Sequence, residues 1–439
     1  MTVSQKFVVF LWIGFVLSLA LVLVGCGEKD VSMPSEPTAE DAPATEESIL
    51  ETIQVIEERV SELRCLETLK PVTKAFLTTD ELRQRIIADL SDYTEKDARD
   101  DVLLYVAFGL VERDVDLYNL LVDLQTEQVA GFYDPDTEEI YVVEGSQGLG
   151  AMEQSVLSHE YTHALQDQHF DLEALGFTDE EAEKEEDGEQ NFATRCLVEG
   201  DAVLLQQQYL FNHFEVEDLQ EMLEQIEEVD SSVLDSAPVI VQQSLLFPYE
   251  AGLTFVTSLY AEGGWPAVDA AYANPPVSTE QILHPARYPD DVPQIVTLPP
   301  LTDTLGAGWR LVDEDVLGEF GLDLYLDVYV SPSASEVAAE GWGGDRYAVY
   351  WRDDESAFVL ALRLAWDTSA DAAEFRDAFE QFAEVRLGGG PARAEGDARW
   401  WWSGEDRMLL AQNSQEETLI IIAPDETTLE AVHALFPGF

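Results

Sequence analysis

His159 and His163 stand four residues apart and bracket Glu160, Tyr161 and Thr162. On a helix, positions i and i+4 lie about 40° apart around the axis and about 6 Å along it, so both imidazoles leave one face, one turn apart. Two imidazoles so placed can grip one zinc ion. Glu160 sits beside the first of them and can reach a water on the metal without ligating it. Zinc lowers the pKa of such a water towards neutrality, and the carboxylate takes its proton as general base. The chain holds six histidines, and three of them fall within residues 151–170, which argues against an accidental H-E-x-x-H. The competing reading is a surface helix carrying two structural histidines.

A catalytic zinc needs a third protein ligand. Glu199 lies in Leu197-Val198-Glu199-Gly200-Asp201-Ala202, 36 residues after His163. The arrangement resembles the gluzincin metallopeptidases, in which H-E-x-x-H on one helix is completed by a glutamate on a following helix, often as Glu-Gly-x-Ala. The resemblance covers about residues 128–290. It implies His159, His163 and Glu199 as zinc ligands and Glu160 as the base. One position departs from it: the acidic residue found four places after the ligand glutamate in the thermolysin-like branch falls on Val203. Asp201 points to a different helix face and does not inherit that role. His169 is the other candidate, because His159, His163 and His169 match the H-E-x-x-H-x-x-G-x-x-H spacing of the metzincins. That family turns its chain at the glycine, and here the position is Gln166. If the helix runs on, His169 lies out of reach of the first two histidines.

Peptide hydrolysis also calls for a donor to the oxyanion. His284, Tyr249 and Tyr288 are candidates; a loop histidine packed on Pro285 is the plain alternative for His284. The stretch from Pro275 to Tyr288, with Gly341-Trp342-Gly343-Gly344-Asp345-Arg346-Tyr347, resembles bacterial lipoproteins that carry an H-E-x-T-H core. The run Trp400-Trp401-Trp402 reads as core packing, with a glycan or lipid surface as the alternative.

These side chains need elements to hold them. Ile49, Ile53, Ile56 and Val60 recur at helical spacing, and three to five helices are expected between about Ser48 and Leu124. Val129–Tyr133 and Ile140–Val143 flank Asp134-Pro135-Asp136 and read as a β-hairpin. The gluzincin resemblance implies that such a hairpin receives an extended peptide by strand addition; an ordinary structural hairpin is the alternative. A Gly-rich stretch, Gly145 to Gly150, leads into a helix from Ala151 to about Gln168 that carries the histidines. The acidic run Thr178–Glu189 reads as a solvated surface, and a second helix is expected from about Asn191 to Phe211. After Pro299-Pro300 come strands at Arg346–Trp351, Phe358–Leu364, Met408–Ala411 and Thr418–Ala423, with helices at Asp371–Val385 and Thr427–Leu435. The expected class is α+β: a largely helical, zincin-like unit over 48–295 with a β-hairpin, and a C-terminal α+β domain over 296–439.

Composition sets the outer bounds. Of 439 residues, 46% are hydrophobic and 10% aromatic, enough for packed cores. Asp and Glu number 88 against 23 Lys and Arg, a formal net charge of -65. So negative a surface repels phosphate backbones, which sets nucleic acid aside as a partner. Lys6 precedes an apolar run from Phe7 to Val24, and Leu23-Val24-Gly25-Cys26 resembles the lipobox of bacterial lipoproteins. That implies a signal over 1–26, a lipidated Cys26 in the membrane, an acidic tether over 27–47 and an extracytoplasmic body. Cys65 and Cys196 remain, either paired or as two separate thiols. The reading is an exported, membrane-tethered zinc metallopeptidase acting on a peptide or protein substrate. The alternative is an extracytoplasmic binding or scaffold lipoprotein with a structural or vestigial metal site.

Overall fold

The computed structural model describes residues 46–89, 93–127, 131–143, 149–176, 188–228, 231–403, 406–413 and 416–439. The expected signal, the tether up to residue 45, residues 145–148 of the Gly-rich stretch and the acidic run 178–187 lie outside them. Among the described residues no helix is long and apolar enough to cross a membrane. In chain order the elements are α1 (Glu46–Arg64), β1 (Thr73–Leu77), α2 (Thr79–Asp89), α3 (Glu95–Phe108), α4 (Leu117–Glu127), β2 (Gly131–Asp134), β3 (Glu139–Val143), α5 (Ala151–Phe170), α6 (Gly188–His213), α7 (Val216–Glu228), α8 (Ser232–Ser236), α9 (Val239–Gly263), α10 (Trp265–Tyr272) and α11 (Thr279–Leu283). They continue as α12 (Thr302–Leu305), β4 (Trp309–Asp315), α13 (Gly318–Asp327), α14 (Pro332–Ala339), β5 (Trp342–Arg352), β6 (Phe358–Trp366), α15 (Ser369–Leu387), β7 (Arg393–Glu395), β8 (Ala398–Ser403), β9 (Asp406–Gln412), β10 (Glu417–Ala423) and α16 (Glu426–His433). The fold is α+β, as expected.

The helical part closes around α5 and α6. Ile53, Ile56 and Val60 of α1 share a core with Leu157, Tyr161 and Leu165 of α5 and Leu197 and Val198 of α6. Helix α5 is buried along almost its whole length up to Gln166, so its polar residues face protein as well. Helices α6 and α9 cross at two glycines. A Cβ on Gly200 would lie 2.2 Å from the backbone of Gly252, and one on Gly252 would lie 2.2 Å from the carbonyl oxygen of Cys196. No side chain larger than hydrogen fits between these backbones, which accounts for both glycines.

The β2–β3 hairpin forms where expected, antiparallel from Gly131↔Val142 to Asp134↔Glu139. It is joined by β1, which pairs parallel with β3, giving the order β1-β3-β2. Strand β1 corrects the all-helical reading of that stretch. Its five residues draw their hydrogen bonds from a strand more than 60 positions away, which local periodicity does not register.

The second sheet is antiparallel throughout, in the order β4-β5-β6-β10-β9-β8-β7. Side chains alternate between its two faces. Ile420 and Ile422 join Leu360, Leu362 and Trp401 on one side, while Leu419 and Ile421 join Val359, Ala361 and Trp400 on the other. Trp400 and Trp401 are therefore core, and Trp402 is 38% exposed. Helix α15 is fixed at one end by a Thr368–Asp371 capping box and at the other by Gly388 in the left-handed region. The sheet's first core also takes in Leu103, Leu104, Ala107 and Phe108 of α3. Arg386 donates to the carbonyls of Phe108 and Ala107 at the end of that helix, and the indole of Trp351 donates to the Leu103 carbonyl. Residues after 296 thus share their core with an N-terminal helix.

Candidate functional site

Helix α5 presents His159 and His163, and α6 runs beside it and presents Glu199. The Nε2 atoms of the two histidines are 3.0 Å apart, and Glu199 Oε2 lies 3.3 Å from the first and 3.4 Å from the second. All three side chains are buried. Their ligand atoms converge on one point and form a group that could hold a metal ion. Both oxygens of Glu199 are buried without a well-formed hydrogen bond. An ionised carboxylate in that state is costly unless a cation completes it.

The charges respond to the enclosure. Burial pushes His159 down to about 4. Burial also works against a charge on His163, but the Glu199 carboxylate outweighs it and carries that imidazole up to about 9. Glu199 is held down to about 2, because the two imidazoles overcome the cost of its burial. Glu160 lies on the same helix with its carboxylate buried, and burial pushes it up to about 8. The backbone N–H of Tyr133 on β2 donates to Glu160 Oε2 at 2.7 Å and pulls the other way. That bond ties the hairpin to the helix at the residue expected to be the base. A carboxyl whose proton affinity lies near neutrality suits proton exchange.

Of the other expected residues, Tyr249 of α9 is brought in: its ring lies 6.2 Å from that of His159, at 26°. The Gly200–Gly252 crossing puts it there, three residues before Gly252. His169 is not brought in. Helix α5 runs on to Phe170, so the chain does not turn at Gln166, and the ring of His169 donates to the Glu67 carbonyl at 2.8 Å. His284, at the end of α11, pairs with Glu319 of α13 at 2.8 Å. The Tyr288 hydroxyl donates to the Asn274 carbonyl. The oxyanion roles expected for these two therefore lack support in their contacts, both being engaged with neighbours outside the ligand group. Cys65 is exposed and Cys196 buried, and both are free thiols.

Asp201 confirms the helix-face argument. It accepts from Arg64 at 2.8 and 3.0 Å and from the Tyr272 hydroxyl at 2.7 Å. This buried ion pair anchors α6 to α1 two residues beyond Glu199.

Residues 308–433 match the family described as Domain of unknown function (DUF8575). No curated protein and no solved structure matches the chain. The match runs from β4 to α16 and leaves the helical part, with His159, His163 and Glu199, outside it.

Two contacts escaped the sequence reading. One is the Tyr133 N–H to Glu160, invisible because any residue supplies a backbone N–H. The other is Gln166, whose amide oxygen lies 2.8 Å from His163 Nδ1. Its spacing, three residues after His163, was a signal that could have found it.

Proposed function

We propose that this chain is a zinc-dependent peptidase of gluzincin type, with His159, His163 and Glu199 as ligands and Glu160 as general base. The observation that carries the proposal is the buried convergence of two imidazoles and one carboxylate. Three ligand atoms about 2.0–2.1 Å from a tetrahedral centre stand about 3.3 Å from one another; here they stand 3.0, 3.3 and 3.4 Å apart. Two histidines and a glutamate are a donor set that leaves one position open, as catalytic zinc sites do.

Zinc held there supplies Lewis acidity and makes a water more acidic. Glu160 takes the proton of the attacking water on its carboxylate and returns it to the leaving amine. The Tyr133 N–H holds that carboxylate in place through one oxygen, leaving the other for the proton. Strand β2 is an edge of its sheet, but its four residues are buried and the Tyr133 N–H is taken by Glu160, so the expected strand addition gains no support from its contacts. Tyr249 is the aromatic wall next to His159 and the remaining protein donor of those expected for the oxyanion. The same reading has the chain exported and tethered through Cys26. That rests on the sequence from Phe7 to Cys26 alone.

The test is zinc content of the purified protein, followed by hydrolysis of a mixed peptide library before and after chelation. One zinc per chain, with cleavage lost on chelation and restored by zinc, is the expected result. Bound zinc with no cleavage of any peptide favours a binding or scaffold lipoprotein with a structural metal.

A further inference from the structure

Gln166 occupies the position whose side chain spoils the metzincin spacing, and it is fully buried. Both ends of its amide are used. Nε2 donates to the Val198 carbonyl of α6 at 3.0 Å, and Oε1 lies 2.8 Å from His163 Nδ1. We infer that Gln166 is a positioning residue: it sets the proton position and ring orientation of His163 from a backbone carbonyl on the helix that carries Glu199.

The chain of constraint is one of donors and acceptors. A carbonyl oxygen only accepts, so the amide NH2 must face Val198. That turns Oε1 to the imidazole, and an amide oxygen only accepts as well. His163 Nδ1 must then carry a proton, and a neutral ring keeps its lone pair on Nε2. Nε2 is the atom that faces His159 and Glu199, at 3.0 and 3.4 Å. Val198 immediately precedes Glu199, so the same amide also holds the two ligand-bearing helices in register. A glutamate side chain at this position supplies the acceptor without the donor, and a methionine supplies neither. Partners of a ligating histidine's second nitrogen are worth about 10–100-fold in metal affinity.

The inference rests on the metal reading above, and its test separates the two. Gln166→Met keeps the length and apolar packing of the side chain and removes both bonds; Gln166→Glu restores the acceptor end. Zinc affinity is measured by competition with a chromophoric chelator, and solvent exchange of the His163 Nδ1 proton by NMR, with and without zinc. The expected results are a loss of about 10–100-fold for Gln166→Met, recovery of only part of it in Gln166→Glu, which keeps the acceptor and loses the Val198 anchor, and a slowly exchanging Nδ1 proton in the wild type. Wild-type zinc affinity in Gln166→Met, or a freely exchanging Nδ1 proton in the folded wild type, overturns the inference. A wild type that binds no zinc overturns the metal reading, and the Nδ1 proton of the metal-free protein still decides the role of Gln166. If Gln166→Met fails to fold, the wild-type proton measurement decides alone.

Discussion

Gly200→Ala puts the geometry of the site under the sharpest test, because Gly200 adjoins Glu199 and touches only backbone. The added methyl would lie 2.2 Å from the carbonyl carbon and oxygen of Gly252 and 2.8 Å from the nitrogen of Leu253. Ordinary contact begins at 3.4 Å, so α6 and α9 must separate locally by about 1.2 Å. Backbone in the middle of two long helices cannot swing aside as a side chain can. Overpacking of this kind costs about 1–3 kcal/mol and sometimes more, against about 1 kcal/mol gained because alanine is the better helix former. A net loss of about 1 kcal/mol corresponds to roughly 2–4 °C in melting temperature. Zinc sites tolerate ligand displacements of about 0.2 Å, so a 1.2 Å shift next to Glu199 should also weaken zinc binding. Circular dichroism melting and chelator competition read the two effects. Gly389→Ala, where a Cβ meets nothing within 4 Å, is the control and should change neither. Unchanged stability and zinc affinity in Gly200→Ala would refute the claim that the glycine crossing positions the third ligand.

Three further outcomes follow from the same contacts. Arg64→Met leaves Asp201 buried without its cation, and thermal unfolding should register a loss of about 3–5 kcal/mol. Glu199→Ala should lose bound metal, whereas His169→Ala should keep it, read by metal content after dialysis; the reverse pattern would restore His169 as the ligand. The hydrogen bond to Glu319 raises the pKa of His284 above its ordinary value. Its stabilisation is full below the ordinary histidine pKa and fades as pH rises through the raised one. The melting difference between wild type and His284→Gln should therefore be larger at pH 5.5 than at pH 9, and a difference that grows with pH contradicts the pairing.

Part of the candidate metal group was legible because helix geometry is local. Spacing of four between His159 and His163 already placed that pair together, whereas His169 stayed open as a ligand, because its distance depends on whether the helix runs on past Gln166; it does, to Phe170. Glu199 needed the family resemblance, since nothing in 36 intervening residues states how two helices pack. The hairpin announced itself through Asp134-Pro135-Asp136. Strand β4 and the Trp400–Trp402 strand did not, because their partners are set by sheet order. Likewise, no local pattern in Leu103–Phe108 reveals that α3 is a core element of a sheet two hundred residues later. His284 shows the limit of residue type: a loop histidine is a candidate oxyanion donor by its chemistry alone, and its actual partner, Glu319, lies on a helix 35 positions away.

In the proposed mechanism Glu160 moves a proton while His159, His163 and Glu199 hold a metal. Glu160→Gln separates these roles, because the amide keeps an acceptor for the Tyr133 N–H and cannot serve as the base. Zinc content and peptide hydrolysis are measured side by side on the variant and the wild type. One zinc per chain is expected in both, and hydrolysis only in the wild type. Equal hydrolysis by Glu160→Gln would contradict that mechanism.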